Sequence, residues 1–347
     1  MSIPVQSLCF VLLSAGLLSA ITPAAAQDAG GLDFSHEGVV ELSADRVDGA
    51  VDTLTLTAEY AVALGLGEGW SVQSSFVFEP VEDVISDSAF HGEDGYVESL
   101  TLQFAADAYT FRAGKLAPAS GIAASMAPGL YGAEVGEAYE LTEKLGVGFD
   151  MDLGRLTGLG GTHILAVTAF TNDRSVLSGS LLGKREQARI TDGGPGNTQG
   201  LESFAASLGG ESDEGIGYSV SYRQLRQEAG PAEEMTTAGL FGTVSDTIPI
   251  SWMAEVGHAD NADGVEGGKR NFYTAGATLE LDGWWTSVVA SGFLENAALG
   301  DADEKRVGIT VGALLSDALA IEFGVQHTAL ANDEATQLGL KLTMSFN

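Results

Sequence analysis

Five charged side chains stand around a long, apolar stretch of the chain that lacks strand-like alternation. Arg112 and Lys115 lie at the entrance to residues 113–139 (AGKLAPASGIAASMAPGLYGAEVGEAY), and Glu134, Glu137 and Glu140 lie on its return. Fixed charges of opposite sign across a narrow aqueous passage, within a Debye length of each other, set up a transverse field that orients polar solutes and biases ion passage. That is a chemistry of steering, without bond breaking. Lys144, Arg223 and Arg306 belong to the same candidate set of inward-facing charges. The plainer reading is that such charges pair with one another and hydrate a wall.

Other chemistries find little support. Asp260, Asn261 and Asp263 precede Gly264, but the ligand spacing departs from a calcium-binding loop. His36, His91, His163, His258 and His327 are dispersed, without a paired spacing for zinc. No Gly-x-Ser-x-Gly occurs, so nothing points to a hydrolase, and neither enzymatic activity nor a cofactor is expected. Lys184, Arg185 and Arg189 form a basic patch before residues 193–196 (GGPG). It reads either as a vestibule for anionic ligands or, more simply, as a mobile surface loop.

The elements that must position these charges follow from composition and period. Residues 1–26 hold no charged side chain; an apolar run from Leu8 to Ile21 and the small residues Ala24, Ala25 and Ala26 predict a secretory signal peptide cleaved before Gln27. Cys9, the only cysteine, lies inside it, so the mature chain is expected to be free of thiol chemistry. The 16 basic and 48 acidic residues leave a net charge of −32, which argues against nucleic acid as a partner. With 46 Gly, only 8 Pro and 45% hydrophobic residues, the composition fits closely spaced strands and turns. No second apolar run is long enough for a membrane helix.

Period-two alternation is pervasive. Leu54, Leu56, Ala58, Tyr60, Val62 and Leu64 alternate with Thr53, Thr55, Thr57, Glu59, Ala61 and Ala63, and the run has the length of a tilted strand crossing a bilayer. Near the end, Leu338, Leu340, Leu342, Met344 and Phe346 alternate with Gly339, Lys341, Thr343 and Ser345, placing a lysine between two leucines, as one lipid face and one aqueous face require. Short turns at residues 65–69, 106–108, 212–214, 245–247, 282–283 and 316–317 alternate with longer connections. The expected architecture is an all-β transmembrane antiparallel barrel of about 16 strands spanning residues 27–347, its long third outward loop, residues 117–136, folded into the lumen. Residues 162–172 and 284–296 read in either parity.

Alternation places Glu41, Glu59, Glu79, Asp150, Asp152, Glu255, Glu280 and Glu322 on the lumen side with Arg112, Lys144, Arg223, Arg270, Arg306 and Lys341. Lys115 has the parity of Tyr109 and Phe111, so either a bulge resets the register or it sits at the rim. Tyr60, Trp70, Tyr96, Tyr109, Tyr139, Tyr222, Trp252, Tyr273 and Trp284 fall near strand ends, where interfacial girdles belong. Small and polar lumen residues favour an open path; mutually pairing charges favour a closed structural or adhesive barrel.

With these elements in place, the chain resembles bacterial outer-membrane porins, most closely the LbtU-type siderophore porin family. The resemblance is concentrated in residues 95–151: Ala113-Gly114-Lys115 and Pro118 match a Gly-Lys-x-x-x-Pro step, Met126-Ala127-Pro128-Gly129-Leu130 matches the following segment loosely, and Gly136-Glu137 matches the last. Where the family more often carries an aromatic after the proline, this chain has Ala119-Ser120-Gly121. The resemblance implies a Gram-negative outer-membrane location among lipid, a homotrimer, and passive passage of small polar solutes or a ferric siderophore.

Overall fold

The computed structural model describes residues 32–47, 52–82, 87–244, 249–330 and 333–346. The expected signal peptide and the turn at residues 245–247, apart from its neighbours, lie outside the described residues. Sixteen strands close into one antiparallel barrel. In chain order they are β1 (Asp33–Val47), β2 (Asp52–Gly67), β3 (Trp70–Pro80), β4 (Glu93–Ala106), β5 (Tyr109–Leu116), β6 (Lys144–Asp152), β7 (Thr162–Asn172), β8 (Ser203–Glu211), β9 (Ile216–Leu225), β10 (Glu233–Val244), β11 (Ile250–Asp260), β12 (Lys269–Leu281), β13 (Trp284–Glu295), β14 (Glu304–Ser316), β15 (Leu319–Leu330) and β16 (Asp333–Phe346). Each pairs with its sequence neighbours, and β1 pairs with β16 from Gly38↔Phe346 to Val47↔Gln337, so no edge is left. A two-residue bridge, Ser88–Ala89, lies parallel to β2 at Thr53 and Leu54 and is not a barrel strand.

The polarity of the wall is inverted relative to a water-soluble fold. On β14 Val307, Ile309 and Val311 are 56%, 52% and 43% exposed, while Thr310 between them is 3% exposed and faces inward. Leu338, Leu340 and Met344 on β16 are likewise exposed, with Lys341 buried. A continuous apolar band of this kind is stable only against lipid. The two ambiguous segments also resolve: Thr168 and Phe170 on β7 and Ser287 and Ser291 on β13 are buried, with Val167 and Val288 outside.

Aromatic rings gather at the strand ends. Trp70 meets Phe104, Tyr109 and Phe111 meet Phe149, and Trp284 and Phe346 stand exposed at the short-turn end; Phe204 and Tyr222 pair at the other. Tyr96 and Tyr139 do not join these girdles. Tyr96 turns inward, its hydroxyl donating to Glu79 at 2.5 Å, and Tyr139 is buried inside the barrel against Phe272, with 4.7 Å between ring centroids.

The longest loops lie at the end opposite the tight turns of residues 67–70, 106–109 and 281–284. Glu68-Gly69 and Asp282-Gly283 both take positive φ at each residue, the geometry that suits a two-residue hairpin turn. At the other end the third outward connection, between β5 and β6, runs over residues 117–143 and carries two single helical turns, α1 (Ala123–Met126) and α2 (Glu134–Glu137). A further turn, α3 (Leu153–Thr157), links β6 to β7 at the short-turn end. The basic stretch in the connection between β7 and β8 is not a loose surface loop. Buried Asp94 accepts from the Ser180 hydroxyl and from the amides of Leu182 at 2.8 Å and Lys184 at 3.0 Å, while Arg185 forks onto Glu143 at 2.8 and 2.9 Å and lies over the Tyr96 ring.

Candidate pore constriction

The loop of residues 117–143 leaves β5, crosses the lumen and docks on the far wall, β9 to β16 and β1. Glu255 on β11 accepts from the amides of Ile122 at 2.6 Å and Ala123 at 3.1 Å and from the Tyr139 hydroxyl. Arg223 on β9 donates to the Tyr139 carbonyl and to Glu233 at 2.7 Å. Farther along, the Leu130 amide donates to Thr310 Oγ1 at 2.9 Å, the Tyr131 hydroxyl donates to Asp45 at 2.7 Å, and Glu134 accepts from Arg306 and from Gln326.

Inward-facing glycines make the room for this docking. A Cβ at Gly239 would lie 2.6 Å from Ile122 Cδ1, one at Gly276 2.5 Å from Pro128 Cδ, and one at Gly324 3.0 Å from Leu130 Cβ; one at Gly339 would collide with Tyr131. Within the loop, a Cβ at Gly136 would strike the backbone of Ala123 and Ala124, so glycine there lets the two helical turns touch.

The predicted opposition of Arg112 and Lys115 to the glutamates of the loop does not form. Arg112 lies along the wall and binds Asp150 on the adjacent strand at 2.8 Å. Lys115 sits at the rim, 2% exposed, bonded to Glu143 at 2.7 Å, the Leu177 carbonyl at 2.8 Å and Asp173 at 3.2 Å. Each cation has a carboxylate one strand or one loop away, within direct ion-pair distance. Lys144 donates to Asn172 at 2.9 Å. Arg306, held by Glu304 at 2.5 Å, is the cation that meets Glu134. Lys341 lies between Glu41 at 3.3 Å and Glu322 at 3.5 Å.

Glu137 and Glu140 instead join an acidic group. Glu140 is close enough to feel Glu98 and Glu137, Glu137 feels Glu79, and Glu59 on β2 feels Glu41, Glu79, Glu98 and Glu140. Among the described residues none of Glu59, Glu79, Glu98, Glu137 and Glu140 lies in an ion pair. On the loop, outside the membrane-spanning strands, burial followed by repulsion from Glu98 and Glu137 pushes the Glu140 carboxyl up to about 7. Burial and then Glu79 raise Glu137, with Lys341 opposing.

Glu98 is a member that alternation misses. Leu100 and Leu102 point outward, so simple parity sends Glu98 outward too. The pairing with β3 slips between Ser75↔Ser99 and Phe76↔Val97, and the extra residue, Glu98, bonds the buried Ser75 hydroxyl at 3.1 Å. A carboxylate assigned to lipid is the signal that exposes the bulge.

A closed sixteen-strand antiparallel barrel, apolar outside and polar inside, with its third outward loop laid across the lumen, has the architecture of bacterial outer-membrane porins. Among solved structures it is similar to the outer membrane channel DcaP of Acinetobacter baumannii, with a TM-score of 0.64 and 13% identity over 92% of this chain and 99% of that one. It is also similar to an anion-selective porin from Comamonas acidovorans (TM-score 0.59, 11% identity, 91% and 100% covered) and to Salmonella typhi OmpF (TM-score 0.60, 11% identity, 91% and 97% covered). No family model and no curated protein matches the chain.

Proposed function

We propose that the chain is an outer-membrane porin, a passive aqueous channel for small hydrophilic solutes that prefers cations. The observation that carries this reading is the asymmetry of the lumen charges: the basic residues of the candidate set are held by protein partners, whereas Glu59, Glu79, Glu98, Glu137 and Glu140 act on one another and, among the described residues, none of them is in an ion pair, Lys115 and Lys341 reaching Glu98 and Glu137 only from beyond contact distance. Uncompensated carboxylates in a narrow passage concentrate cations and repel anions. The proposal includes the signal peptide at residues 1–26, the site roles of Glu137 and Glu140, and a homotrimer; a trimer form is described for the similar Vibrio cholerae OmpT.

The resemblance over residues 95–151 extends the proposal to iron chelates. The acidic lumen favours a neutral or cationic ferric siderophore over an anionic one.

Single-channel recording of the refolded mature chain in a planar bilayer under a salt gradient tests the reading. Discrete openings with a cation-selective reversal potential are expected. A folded, heat-modifiable barrel that never conducts overturns the channel and leaves the closed structural barrel.

A further inference from the structure

The loop and the wall meet at one carboxylate more than anywhere else. Glu255 faces inward from β11 and is 2% exposed. It accepts from Ile122 and Ala123 at the start of α1 on the outgoing limb and from Tyr139 on the returning limb, so a single side chain ties both limbs. Among the described residues no cation lies within ion-pair distance of it. Its charge is therefore met by donors from the loop itself, and charge-assisted hydrogen bonds of this kind are stronger than neutral ones. The surroundings are shaped to the same contact. Gly239, directly opposite Glu255 on β10, leaves the space that Ile122 fills, and Gly121, at φ +128°, passes so close that a Cβ there would stand 2.8 Å from both carboxylate oxygens.

We infer that Glu255 is the positioning residue of the constriction: it fixes how far residues 117–143 stand from the wall, and thereby the width of the passage and the placement of Glu137 and Glu140. The inference rests on the channel reading and adds to it the wall residue that governs width. Arg223, gripping the Tyr139 carbonyl, supports the same limb from the neighbouring strands.

The test uses a single thiol. The chain has one cysteine, Cys9, within the expected signal, so A127C in the mature chain places a lone thiol at a position that is 7% exposed on the docked loop. Its reaction rate with a charged thiol reagent and the single-channel conductance are measured for A127C alone and combined with E255Q, Y139F or D150N. Gln keeps the shape of Glu255 but turns an amide N–H toward backbone donors. E255Q is expected to raise the thiol rate roughly ten- to a hundredfold, as loss of a hydrogen bond to a charged group predicts, and to give larger, noisier openings. Y139F gives a smaller increase. D150N, whose carboxylate pairs with Arg112 away from the docked loop, leaves the thiol rate unchanged. An E255Q rate equal to that of D150N, in barrels that remain heat-modifiable, overturns the inference. If the thiol rate rises but no variant conducts, the positioning role stands and the channel reading fails.

Discussion

Replacing Glu137 and Glu140 together by glutamine removes from the loop two carboxylates that form no ion pair among the described residues, while leaving its length and its anchors at Glu255, Thr310 and Asp45 in place. A carboxylate about 6 Å from the path of an ion in water-like surroundings attracts a monovalent cation by ~0.7 kcal/mol, about threefold in local concentration, and repels an anion equally. Screening over a Debye length of about 10 Å roughly halves that energy. The cation-to-anion permeability ratio then falls about fourfold per charge, and on the order of tenfold for the pair. The assay is the reversal potential under a salt gradient at about pH 8, above the value of about 7 to which the Glu140 carboxyl is raised. The double variant should move the reversal potential toward zero with little change in conductance. An unchanged reversal potential in a folded, conducting variant would refute the assignment of selectivity to this group, and attention would pass to Glu59, Glu79 and Glu98.

Two further outcomes are expected. Because the Glu140 carboxyl is raised to about 7, its charge is lost as pH falls through that value, well above the range in which an ordinary glutamate protonates, so cation preference should weaken between about pH 8 and pH 6 and E140Q should flatten that step; identical titration of the two proteins would contradict it. D94A removes the acceptor for Ser180, Leu182 and Lys184, each bond to a charged group being worth about 1.5–3 kcal/mol. Trypsin added to the folded barrel should then cut at Lys184 or Arg185 faster than in the parent, and equal rates would mean that Asp94 does not hold that connection.

The strands were legible because alternation is local. Leu338 to Phe346 read as one lipid face with Lys341 turned inward, and the buried lysine follows from its immediate neighbours alone. The partners of the lumen charges were not legible, because they are made by closure of the barrel. Glu255 meets Ile122 across 133 positions and Glu134 meets Arg306 across 172, distances over which no periodicity informs. Arg112 and Lys115 instead found closer acids, Asp150 by strand pairing and Glu143 at the end of the loop. Small lumen residues read as favouring an open path, but Pro128 and Tyr131 of the loop occupy the space beside Gly276 and Gly339. Asp94 carried no signal, since its ligands, Ser180 to Lys184, are supplied by a connection more than 80 positions away.

The seam between β1 and β16 differs in kind from every other strand pair. The remaining barrel pairs join strands adjacent in sequence, so each closes only the connection of its own hairpin; the seam must bring Gly38 to Phe346, whose ring covers the glycine so closely that even a methyl group there would clash. The entropy of closing a loop grows only slowly with its length, so this single long closure is not prohibitive. It is, however, the step that converts a curled sheet with two bare margins into a cylinder with none. Until it happens, the hairpins can form and dissolve one by one; afterwards, no strand can leave without breaking two ladders at once. Amides of the wall should therefore exchange with solvent together rather than strand by strand, and resistance to unfolding should appear abruptly when the two ends of the sheet meet.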